Sequence, residues 1–168
     1  VIYAGQRITG TLLTSTMPDI MFKTTNEDRA STTTLANDTD LVATLEANAT
    51  YQVQFYLHFA ALDAARFKTA WATPSGASGS RSAVGPDQAA ILSSTSSGGQ
   101  GRWGVHAFTT ACTYGTRDSA TAQCFGLEEG VVTTTSAGTL AIQWAQATSN
   151  ATATRLASGS YLIVRRLA

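Results

Sequence analysis

The segment Thr50-Tyr-Gln-Val-Gln-Phe-Tyr-Leu-His-Phe59 constrains the fold more than any other part of the chain. Tyr51, Val53, Phe55, Leu57 and Phe59 alternate with Gln52, Gln54, Tyr56 and His58 over its whole length. A period of two puts the first set on the core face of a β-strand and the second on the opposite face. That second face is polar but carries a tyrosine and a histidine, so it needs a cover.

Strand signals recur around this segment. Asp40 to Glu46 precedes it, and the short Ala47-Asn-Ala-Thr50 connection predicts a hairpin between the two. Ala65 to Ala72 alternates, with Phe67 and Trp71 opposed to Lys68. Further strands are expected at Trp103 to Thr110, Gln123 to Leu127 and Gly130 to Thr135. Gly138 to Gln146 sets Leu140, Ile142 and Trp144 on one face, and Asn150 to Leu156 is rich in threonine. Gly159 to Leu167 is apolar on both faces, as a central strand is. Pro74 to Gly79 and Ser93 to Gly101 read as loops. The best helical stretch, Ala60 to Ala65, is too short to count. Many short strands between Gly, Ser and Thr turns predict an all-β fold, a sandwich or jelly roll, over residues 19–168. Residues 1–18 read as an extended N-terminal arm. Its Ile2, Tyr3, Ile8, Leu12 and Leu13 need a partner surface and are the candidate docking residues.

Composition bears on function. Charged residues make up 13% of the 168, about half the usual share, and the formal net charge is zero. A weakly charged surface of Thr, Ser, Asn, Gln and Gly suits contact with other copies or with a larger particle. It gives no electrostatic basis for binding nucleic acid or an anionic membrane. No run approaches the roughly 20 apolar residues of a membrane helix. The N-terminus has no secretion-signal pattern, and a leader removed ahead of Val1 stays open.

Catalytic patterns are sparse. Gly76-Ala-Ser-Gly-Ser80 misses the nucleophile-elbow pattern by its last residue. The two histidines are His58, in mid-strand, and His106. Glu128-Glu129 before Gly130 reads as a solvent-facing pair on a turn, and two carboxylates meeting in space as in a glycosidase stay open. Asp38 and Asp40 have the spacing of Ca²⁺ ligands, but a turn before a strand explains them more simply. Neither a metal site nor a cofactor is expected. Cys112 and Cys124 are either bridged across a hairpin or two buried thiols. Trp71, Trp103 and Tyr114 lie near loops, where they either stack on a glycan or pack in the interior. Asn37, Asn48 and Asn150 match the glycosylation pattern, which matters only in a secreted eukaryotic protein.

Several segments together resemble a family. They are Tyr3-Ala-Gly-Gln-Arg-Ile-Thr9, Lys23-Thr-Thr-Asn-Glu-Asp-Arg-Ala-Ser-Thr-Thr-Thr-Leu35, Asn37-Asp-Thr-Asp-Leu41, Glu46-Ala-Asn-Ala-Thr-Tyr51, Gly138 to Ser149, Ala151-Thr-Ala-Thr154 and Gly159-Ser-Tyr-Leu162. This set is similar to virion structural proteins of tailed phages that infect actinobacteria: capsid decoration, head-fibre and minor tail proteins. The resemblance covers both ends and the first third of the chain. It implies a jelly roll like the heads of tumour necrosis factor and C1q, assembled as a homotrimer, with strand 49–58 near the three-fold axis. The implied partners are further copies of the chain, a major capsid or tail protein and, in one version, a host-surface glycan. The implied place is the virion, on the capsid surface in preference to the tail. A minor tail or carbohydrate-binding module and a small hydrolase are the alternatives. Gln52, Gln54, Tyr56 and His58, with Leu162, Val164 and Arg166 of the last strand, are the candidate trimer contacts.

Overall fold

The computed structural model describes residues 7, 9, 17–92 and 101–168. Its strands are β1 (Asp19–Phe22), β2 (Glu27–Arg29), β3 (Ala36–Leu45), β4 (Thr50–Ala61), β5 (Phe67–Ala72) and β6 (Ser78–Pro86) in the first half. In the second half they are β7 (Gly101–His106), β8 (Cys112–Tyr114), β9 (Ser119–Thr133), β10 (Gly138–Gln146), β11 (Thr154–Leu156) and β12 (Tyr161–Arg166). The described residues contain no helix.

The pairing is nested. β1 pairs with β12, β2 with β11, β3 with β10, β4 with β9, β5 with β8 and β6 with β7, all antiparallel. The chain is thus one long antiparallel ribbon doubled back at the β6–β7 hairpin. A ribbon with one apolar face buries it by rolling up, which is how a jelly roll arises. Rolling sets β12 and β11 beside β4, β10 beside β5, and β6 beside β9. The large sheet runs β1-β12-β4-β9-β6-β7, with β11 alongside β4 and β2 beyond β11, and the small sheet runs β3-β10-β5-β8. The all-β jelly-roll sandwich expected from the alternation is the observed fold.

Between the sheets the alternating residues meet as expected. Phe55 packs edge-on against Trp71 at 5.0 Å, and Phe59 stacks on Phe67 at 4.5 Å. Val53, Leu57, Leu41, Leu45, Leu140, Ile142 and Trp144 are fully buried around them. Each such side chain contributes about 1.5–3 kcal/mol when removed from water.

Two expectations are corrected. β3 and β4 do not form a hairpin: β3 lies in the small sheet and β4 in the large one. Both strands turn large apolar side chains into the core, but from different places: β3 lies against β1 and β12 of the large sheet, and β4 against β5 of the small one. The Ala47–Thr50 connection bridges the sheets with Asn48 at φ 54°, and Thr134 Oγ1 bonds to the Glu46 carbonyl at 2.6 Å. The two strands expected at 123–127 and 130–135 are one strand, β9. Gly130 does not break it. Its missing side chain lets the β6 backbone pass close by, since a Cβ there would collide with the Ser80 carbonyl.

Candidate functional site

The outer face of the large sheet is the feature that calls for a functional account. Strand register lines its side chains up in rows. One row runs Phe22, Tyr161, Tyr56, Leu127 and Val84, and continues at backbone position 103. Tyr56 stacks on Tyr161 at 5.1 Å and on Phe125 at 6.0 Å, and His58 meets the Tyr56 ring edge-on at 5.0 Å. The next row runs Ile20, Ile163, Gln54, Glu129, Ser82 and Val105, and the third runs Arg165, Gln52, Val131 and Ser80. Phe22, Ile20, Val105, Phe125 and Val131 are exposed, Val105 to 70% and Phe22 to 64%. Such a contiguous apolar band is uncommon on a monomer that meets nothing.

Charges on this face balance. Glu129 and Arg165 lie in its rows, and Asp28 and Arg155 form an ion pair at the β2–β11 end, with nitrogen–oxygen distances of 2.7 and 2.8 Å. The Arg155 hydrogen bonds hold the Asp28 carboxyl below the usual carboxylate range.

Of the candidate interface residues, Gln52, Gln54, Tyr56 and His58 lie on this face. Leu162 and Val164 do not: they are buried in the core opposite Phe55 and Val53. Their neighbours Tyr161, Ile163 and Arg165 take the outer side. A strand apolar on both faces gives no internal sign of which face is which, and pairing with β4 decides it. Arg166 shares the inner parity and turns to an ion pair with Glu46. Ile20, Phe22, Leu127 and Val131 of the outer face were missed from sequence. The alternation of Asp19-Ile-Met-Phe22 was the available signal, too short to use. Ile2, Tyr3, Ile8, Leu12 and Leu13, and the side chain of Trp103, lie outside the described residues.

The glycan and carboxylate readings change. Trp71 and Tyr114 are fully buried and cannot stack on a sugar. They donate from inside the sandwich to Glu128, the indole to Oε2 at 2.7 Å and the phenol to Oε1 at 2.7 Å. Thr69 and Arg81 complete the shell around this carboxylate. Glu128 is therefore not a solvent-facing turn acid: it is 0% exposed and ion-paired with Arg81, while Glu129 points out of the opposite face. Burial, and then the Glu128 charge, push the Tyr114 hydroxyl well above an ordinary tyrosine. His58 meets Ser160 through its backbone, its N–H donating to Oγ at 2.9 Å.

Asp38 and Asp40 hold an ammonium, not calcium. Lys23 Nζ lies 2.9 Å from Asp38, 2.8 Å from Asp40 and 3.1 Å from Glu27. Arg29 grips Glu27 from the other side and lies over the Trp144 ring at 4.0 Å. Burial opposes the charge on Lys23, but these carboxylates outweigh it and raise its pKa. Burial likewise opposes the Glu27 charge, but Arg29 and Lys23 prevail and pull it down to about 2. Cys112 and Cys124 are buried thiols with no disulfide between them. Burial pushes the Cys124 thiol up against the opposing Arg117.

Compared with known proteins, the chain matches no family model and no curated sequence.

Proposed function

We propose that this chain is a structural protein of a tailed-phage virion, a non-enzymatic domain that assembles with copies of itself, as a trimer, through the outer face of the large sheet. Its place is the capsid, as a decoration or head-fibre protein, with residues 1–18 as the arm that docks on the major capsid protein. The observation that carries the assembly reading is the apolar row from Phe22 through Tyr161, Tyr56 and Leu127 to Val84.

Size and charge support a second copy as the occupant. Six strands about 4.8 Å apart, with about ten residues of β4 and β9 in length, make a face of roughly 800 Å², the area a stable interface needs from each partner. The face carries balanced charge, which favours a neutral partner such as itself over nucleic acid or an anionic surface. The virion assignment rests on the segment resemblance, and three of those segments build the Lys23, Asp38 and Trp144 corner. The glycan-binding alternative loses Trp71 and Tyr114 as stacking surfaces.

Sedimentation equilibrium tests the assembly. The expected mass is three times the 17.5 kDa of the chain, falling to the monomer for Tyr56→Asp with Phe125→Asp. A wild-type monomer at micromolar concentration overturns it. Imaging of the particle with the labelled chain tests the capsid placement.

A further inference from the structure

The outer face carries one side chain of the kind that changes charge near neutral pH. The chain has two histidines, and His106 has the inner parity of β7, opposite Arg81, while His58 lies on the outer face of β4. We propose that His58 makes assembly through this face pH-dependent: neutral imidazole permits the face to close on another copy, and protonation opens it. This rests on the self-assembly reading above.

The surroundings of His58 supply no free carboxylate to pair with a cation once the face is covered. On its own strand it meets the Tyr56 ring, and across the ladder its partner on β9 is Phe125. The β11–β12 turn brings Gly159 beneath it, where a Cβ would lie 3.3 Å from Nδ1. Gly159 also takes φ 85°, a conformation that favours glycine, so the turn packs closely against the imidazole without a side chain of its own. The charged groups of the packed elements are engaged or distant. Asp28 of β2 is bound in a fork by Arg155 of β11. Glu129 of β9 lies four residues beyond Phe125, roughly 13 Å along the strand. Arg165 of β12 pairs with Gln52, six residues from His58 and roughly 20 Å along the strand, and Tyr161 and Ser160 add no countercharge.

With His58 neutral, Glu129 and Asp28 balance Arg165 and Arg155. A proton on His58 gives each copy one unmatched positive charge amid aromatic rings. Water solvates that charge on the separated chain, whereas closing the face strips the water away. The proton therefore binds the separated chain better, and acid shifts the equilibrium toward it.

Sedimentation of wild type, His58→Gln and His58→Phe at about pH 7.5 and about pH 5.0 tests this. The wild-type dissociation constant is expected to rise at least about tenfold at the lower pH, while both variants stay assembled at both. Wild type assembled equally at both pH values overturns the gating and leaves the assembly reading standing. Wild type monomeric at both overturns the assembly reading, and the gating with it. Variants that dissociate in acid as wild type does assign the effect to other groups and overturn the role of His58. Variants that fail to assemble even at the higher pH also overturn it, because the imidazole is then a packing contact and not a titrating switch.

Discussion

Arg81 and Glu128 form an ion pair in which neither side chain is exposed, between β6 and β9 of the large sheet. The same carboxylate accepts from Thr69 and Trp71 of β5 and Tyr114 of β8, so the pair also ties the two sheets together. Removing one partner leaves the other charge buried and alone. Arg81→Met is expected to cost about 3–5 kcal/mol in urea unfolding, and Glu128→Gln a similar amount. The double variant should cost less than the two single losses together, because no orphan charge remains. Strict additivity in that cycle would mean that the two groups act independently.

The Lys23 corner makes its own pH signature. Glu27 titrates at about 2 in the folded chain, against an ordinary 4.5. A depressed folded value means the stabilisation is present above the unfolded pKa and is lost as pH falls through the folded one. Asp28, lowered by Arg155, acts in the same direction. Stability to urea should therefore hold down to about pH 4.5 and decline between there and about pH 2. Glu27→Gln should flatten that decline, and an unchanged profile would refute the role of the carboxylate.

How much of this was legible depends on whether a residue's type announces its place. β4 was readable because Tyr51 to Phe59 alternate without interruption, and β10 because Leu140, Ile142 and Trp144 do. In the sequence Glu128, Glu129 and Gly130 imitate a turn, which divides β9 into two apparent strands. The β6 backbone explains the glycine in mid-strand, and Arg81 of β6 with Thr69, Trp71 and Tyr114 of the small sheet explains the buried acid. Lys23, Arg81 and Glu128 are residues that composition assigns to solvent, and their burial depends on partners up to 59 positions away. The nested pairing is a property of the whole ribbon, so the local Ala47–Thr50 turn could not distinguish a hairpin from a crossing between sheets.

The thiols test the interior. Cys112 and Cys124 are buried, and the Cys124 thiol is held above its ordinary range. Alkylation of the unreduced, denatured chain should add two groups, detected by mass. Under native conditions modification should be slow, since the thiolate is the reactive form and both sulfurs are covered. Retention of the unalkylated mass after denaturation would indicate a bridge.

Leu162 and Ile163 are adjacent on β12 and belong to different problems. Leu162 is fully buried opposite Phe55, whereas Ile163 lies on the outer face between Ile20 and Gln54. Leu162→Ala should remove about 2–5 kcal/mol of folding stability through a core cavity. In the chains that stay folded, it should leave the assembled mass unchanged. Ile163→Ala should change the stability of the isolated chain by about 0.5 kcal/mol or less, because its site faces outward. It should nevertheless weaken assembly, since it thins the band that the second copy covers. Urea unfolding of the dissociated chain and sedimentation of the assembled one separate the two effects. If Ile163→Ala lowered stability as Leu162→Ala does and left assembly intact, the outer face would be structural only, and the proposed interface would have to lie elsewhere.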